Sequence, residues 1–171
     1  MTGEDTRKTA ARRVLVVGIG NPERGDDGVG PAVAHRLAGR LPGDVGLIVQ
    51  GGDMLSLLGD WAGVDALVCV DAAVSGASPG QIHRLDLAAD ELPRDLAPVS
   101  SHAFGLPEAI ALARALGEAP RRIVIYAIEG RCFDGGAAMS PEAVAAAEAV
   151  AGHITAEIAR LRQPERETAQ A

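Results

Sequence analysis

The chain has 171 residues, 47% of them hydrophobic, with one Trp, one Tyr, two Phe and a formal net charge of −7. That length and apolar content suit one globular domain with a buried core. The acidic balance repels phosphate backbones and anionic lipid, and so few aromatics offer no stacking platform for single-stranded nucleic acid, so metals, small molecules or proteins remain as partners.

Residues 1–11 are polar and read as a flexible N-terminal segment ahead of a single α/β domain over residues 12–162. Arg12 and Arg13 precede an apolar run, but the run ends at Asn21 and Pro22 without a small-residue cleavage site, so it reads as a first strand rather than a signal peptide. "RRVLVVGI" is continuously apolar after its two arginines, as expected of a strand buried on both faces. Val29, Val33, Leu37 and Leu41 then recur at helical spacing. "VGLIVQ" at residues 45–50 predicts a second strand, "DMLSLLGDWAG" a short helix, and "ALVCVDAAV" at 66–74 a third strand carrying Asp71 near its end. "GQIHRLDL" alternates after Pro79 and Gly80, which predicts an edge strand reached by a tight turn.

Residues 88–104 carry Pro93 and Pro98 with no clear period and read as a long surface loop ending at "SSHAFG". Leu106, Ile110, Ala113 and Leu116 mark the next helix, residues 122–129 a further buried strand, and Ser140 with Pro141 caps a long last helix before a flexible tail at 163–171. The order β-α-β-α-β-β-α-β-α implies one three-layer α/β domain, a largely parallel twisted sheet of about five strands with helices on both faces. Cys69 and Cys132 have neither C-x-x-C spacing nor a disulfide framework, which fits a cytoplasmic protein; nothing resembles a membrane span.

The loop "GIGNPERGDDGVG" at residues 18–30 resembles a nucleotide cradle only superficially. Gly18 and Gly20 suit G-x-G-x-x-G, but the sixth position is Glu23, and Asp26 and Asp27 stand where a phosphate would need positive charge. The loop is suited to a cation. In a parallel sheet, ligands gather beyond the carboxyl ends of the strands, which singles out Asp27, Asp53, Asp71, His102 and Glu129. Two carboxylates and an imidazole form a borderline donor set for Ni²⁺ or Zn²⁺. Each has a plainer role: Asp26 or Asp27 as the cap of the helix near Gly28, His102 as a loop or cap residue, Glu129 as a rim acid. Asp71 is harder to explain structurally, because an unpaired carboxylate in an apolar strand is costly. A Cys132–His102 nucleophile pair is disfavoured by the acids Glu129 and Asp134 around the thiol, and no G-x-S-x-G is present.

The blocks "VLVVGIGNPERGDDGVG", "GGDMLSLLGD", "VDAAVSGASPG", "SSHAFGL" and "IEGRCFDGGAAMSPEAV" resemble, in order, those of the nickel-iron hydrogenase maturation endopeptidases. The resemblance implies a single α/β domain that removes a C-terminal peptide from a hydrogenase large-subunit precursor after nickel insertion. It implies metal contacts at Asp27, Asp71 and His102, with nickel supplied by the precursor and zinc or cadmium able to take the same place. Asn21, Asp53 and Glu129 are the accompanying candidates for holding the substrate. Gln50 stands where the family commonly has Asp. A non-catalytic, metal-dependent binding protein or chaperone for the precursor is the alternative on this fold.

Overall fold

The chain alternates strand and helix because its apolar pattern alternates between strand runs and helical stripes, and the computed structural model, describing residues 12–87 and 105–163, shows the resulting order. Strand β1 (Val14–Ile19) leads through a 3-10 turn (Gly25–Gly28) into α1 (Val29–Leu37) and β2 (Gly46–Gln50). Then come α2 (Ser56–Asp60), β3 (Ala66–Ala73), β4 (Ile82–Asp86), α3 (Leu106–Leu116), β5 (Arg122–Glu129) and α4 (Pro141–Leu161). The five strands form one sheet in the order β2-β1-β3-β5-β4, parallel except for β4, which runs antiparallel to β5 at the edge. The anticipated loop at 88–104 and the end segments 1–11 and 164–171 lie outside the described residues.

Strand periodicity sorts the core into two layers. Val14 and Val16, with Ala66, Val68 and Val70, face α1 and α4, whereas Leu15 and Val17, with Leu67 and Cys69, face Met54, Leu57, Trp61 and the buried face of α3. Both layers close over the same central strands, which is why β1, β3 and β5 are apolar on both faces while β2 and β4 are only partly buried.

Two local ends differ from the expected ones. Helix α1 stops at Leu37 rather than continuing to Leu41, because Ala38 leaves the helical region and Gly39 takes φ 73°; Leu41 still packs against the same core layer from the following turn. Helix α2 is shorter than its sequence block because Asp53 turns the chain first: its Oδ1 accepts the Leu55 N–H (3.1 Å) and its carbonyl accepts the Ser56 hydroxyl (2.8 Å).

The glycines of the first loop serve packing. A Cβ on Gly18 would stand 2.3 Å from the Gly30 carbonyl oxygen, and one on Gly30 would stand 2.1 Å from that of Ile19, so α1 lies directly on the end of β1. The chain leaves β1 for β2 on one side and returns to β3 on the other, so the carboxyl ends of β1 and β3 frame the crevice of a topological switch point.

Candidate metal-recognition site

The loop after β1 delivers two neighbouring acids to opposite uses. Asp26 is fully buried and turns away from the crevice: its carboxylate accepts the N–H groups of Arg131 (2.7 Å), Cys132 (3.2 Å) and Ser140 (2.7 Å) and the Ser140 hydroxyl (2.9 Å). Burial opposes its ionisation, but these donors outweigh burial and hold its pKa below the ordinary carboxylate range. Asp27, also buried, accepts the Asn21 N–H at 3.1 Å through Oδ2. Of the two residues that could have capped the helix, neither makes a side-chain cap to α1.

Asp71 lies near the end of β3, opposite Ala127 of β5, on the face that also carries Leu67 and Cys69. Its Oδ1 accepts the Ala72 N–H at 2.8 Å; its Oδ2 is buried and has no hydrogen-bond partner among the described residues. Burial pushes its pKa up to about 8, against the Ala72 N–H and with the negative charge of Asp27 adding to the rise. The same burial, with Asp71 nearby, pushes the Cys69 thiol up, so Cys69 is an inert core residue. The charge of Asp27 thus helps hold the Asp71 proton in the metal-free protein, and the buried Asp71 Oδ2 has no hydrogen-bond partner among the described residues. A cation between them would satisfy both.

The rim residues are engaged differently. Asn21 closes a local turn, its Oδ1 accepting the Glu23 N–H at 2.9 Å. Asp53 is exposed at the turn into α2, and the Gln50 side-chain amide donates to the Asp53 carbonyl and the Ser56 hydroxyl. Gln50 thus braces that turn, and its own carbonyl accepts the Gly20 N–H at 3.0 Å. Glu129 is buried, with its carboxylate accepting the Ser75 N–H (3.0 Å), the Ser75 hydroxyl and the His83 Nε2–H (3.1 Å). Burial opposes ionisation of Glu129, but Ser75 and His83 prevail and lower its pKa. Cys132 is half-buried, with Sγ 3.6 Å from Asp134 Oδ2. His102 lies outside the described residues, and among those described no group of three or more His, Cys, Asp or Glu side chains is arranged to hold a metal ion. The role of Asp26 was not visible in the sequence; the one hint was Ser140, recognisable as a helix cap but also a donor to that carboxylate.

Residues 31–157 match the hydrogenase maturation protease family. The chain belongs to that family. This hydrogenase maturation protease is 32% identical over 120 residues to the hydrogenase 2 maturation protease of Escherichia coli K12, covering 68% of this chain and 72% of that one. It is also 32% identical over 152 residues to the hydrogenase expression/formation protein HupD of Rhodobacter capsulatus, covering 86% of this chain and 68% of its relative. Its fold superposes with a TM-score of 0.68 on the crystal structure of a [NiFe] hydrogenase maturation protease HycI from Thermococcus kodakarensis, at 26% identity and covering 89% and 95% of the two chains. It is therefore a peptidase, and the non-catalytic alternative is not favoured. Among the described residues no helix is long and apolar enough to cross a membrane.

Proposed function

We propose that this protease removes a C-terminal segment from the precursor of a nickel-iron hydrogenase large subunit, and that Asp27, Asp71 and His102 contact the nickel carried by that precursor. The observation that carries this reading is the buried Asp27–Asp71 pair with the Asp71 Oδ2 left without a donor among the described residues. The two side chains supply oxygen donors at the carboxyl ends of β1 and β3, Asp71 giving up its proton to an incoming cation, and an imidazole from His102 would complete a borderline set suited to nickel, or to zinc or cadmium in its place. Bound there, the ion would supply Lewis acidity at the scissile carbonyl. Asp27 and Asp71 discriminate by charge: a metal-loaded precursor brings a cation that displaces the Asp71 proton and is held by both oxygens, whereas a precursor without metal offers no such exchange. Asn21 and Asp53 stand on the rim where the peptide would pass. Glu129 holds the turn after β3 beneath it. The free thiols Cys69 and Cys132 suit a cytoplasmic setting.

The test is processing of purified precursor, nickel-loaded and nickel-free, by wild type and by Asp27→Asn, Asp71→Asn and His102→Ala. The expected result is cleavage of loaded precursor by the wild type alone, with every variant folded. Wild-type cleavage by any two of the variants contradicts the shared-metal reading.

A further inference from the structure

The loop after β5 does more than connect β5 to α4. Its backbone is stitched to the first loop through Asp26 N–H to the Cys132 carbonyl (2.8 Å), Gly25 N–H to that of Ala137 (3.1 Å) and Gly136 N–H to that of Glu23 (2.7 Å). At its other end, Gly130 N–H donates to the Ala73 carbonyl (2.9 Å), two residues past Asp71. Residues 130–140 thus bridge the segment bearing Asp27 and the strand bearing Asp71. The contact is tight: Gly25 has φ 56°, and a Cβ on it would stand 2.4 Å from the Cys132 carbonyl oxygen. The Asp26 carboxylate is the side chain at the centre of this bridge, gathering Arg131, Cys132 and Ser140.

We infer that Asp26, acting through residues 131–140, is a positioning residue that fixes the orientation of Asp27 toward Asp71. The inference rests on the reading of Asp27 and Asp71 as metal contacts. The chemistry of the bridge demands a carboxylate. Oδ1 receives the Ser140 N–H and Oδ2 receives those of Arg131 and Cys132, and none of these backbone donors can reverse its polarity. Either orientation of an asparagine amide would place its NH₂ against at least one of them. Asp26→Asn therefore loosens the bridge without changing any group in the crevice. Partners that orient metal-contacting side chains typically change metal affinity by about 10- to 100-fold when altered.

The experiment titrates Cd²⁺ into the isolated protein by calorimetry and, in parallel, measures processing of nickel-loaded precursor. Asp26→Asn is expected to lower both Cd²⁺ affinity and cleavage rate by about ten-fold or more. Ser140→Ala, which deletes the hydroxyl donor, lowers them less, and Ser140→Thr, which restores it, brings them back. Glu157→Gln serves as a control for stability, because it disrupts a buried charge network on α4 away from the bridge and leaves both readouts unchanged. The inference is overturned if Asp26→Asn binds and cleaves like wild type, or, should that variant fail to fold, if Ser140→Ala does. It is equally overturned if Glu157→Gln at matched melting temperature loses as much. Asp27→Asn separates the two levels. If it abolishes both readouts while Asp26→Asn and Ser140→Ala spare them, positioning alone fails; if it leaves both intact, the metal-contact reading fails and the inference falls with it.

Discussion

Asp71→Asn is expected to make the metal-free protein more stable while abolishing processing. In the folded chain the Asp71 pKa stands at about 8 instead of 3.8, so the folded state binds a proton that the unfolded state releases between those values. Its stabilising contribution is fully present below pH 3.8 and declines as pH rises toward 8. Over that range each step of one in pH removes about 1.4 kcal/mol, so between pH 5 and pH 8 the wild type loses about 4 kcal/mol at this one residue. The amide of the variant keeps an oxygen for the Ala72 N–H, carries no charge to desolvate, and removes the repulsion with Asp27. Urea unfolding of both proteins across pH 5–8, without metal, measures the difference directly. The two should agree near pH 5, with the variant ahead by a few kcal/mol at pH 8. Parallel profiles, or a variant less stable at pH 8, would refute the picture of an uncompensated buried carboxylate. The site would then not be one where stability is given up for recognition.

Glu157 has the opposite sign. Burial opposes its ionisation, but Arg84, Arg160 and the Tyr126 hydroxyl prevail and lower its pKa from 4.5 to about 2, so its stabilising contribution is present above 4.5 and lost as pH falls toward 2. That amounts to about 3 kcal/mol, and Glu157→Gln should flatten the acid limb of urea midpoints between pH 5 and pH 2; an unchanged limb contradicts it. Gly30→Ala brings a Cβ to 2.1 Å from the Ile19 carbonyl oxygen and 2.6 Å from that of Val70. It should cost about 3 kcal/mol in urea unfolding, and a wild-type midpoint would refute the close contact of α1 on β1. Glu129→Gln should cost about 1–3 kcal/mol through the weakened bonds to Ser75 and His83, measured the same way, whereas unaltered stability would show that those bonds contribute nothing.

The central strands were legible because burial on both faces leaves an uninterrupted apolar run, as in "VLVVGI", and β4 because alternation marks an edge. Asp71 stood out for the same reason: a charge in such a run has no solvent to turn to. The end of α1 is hidden in the sequence because Leu41 packs on the same layer as Val33 and Leu37 after the helix has stopped, so it preserves the helical spacing without the helix. The division of labour between Asp26 and Asp27 was illegible for a different reason. Two adjacent acids in a 3-10 turn point apart, and which one is consumed depends on Arg131, Cys132 and Ser140, more than a hundred residues later. Gln50 likewise looked like a lost acid, whereas its side chain braces the Asp53 turn through donors a carboxylate does not have.

The most direct measurement is the intact mass of nickel-iron hydrogenase large subunits from cells deleted for this protease and restored with wild type or Asp27→Asn. The account predicts a subunit that keeps its C-terminal extension in the deletion, loses it with wild type and keeps it with the variant. A subunit trimmed by Asp27→Asn as completely as by the wild type would contradict it.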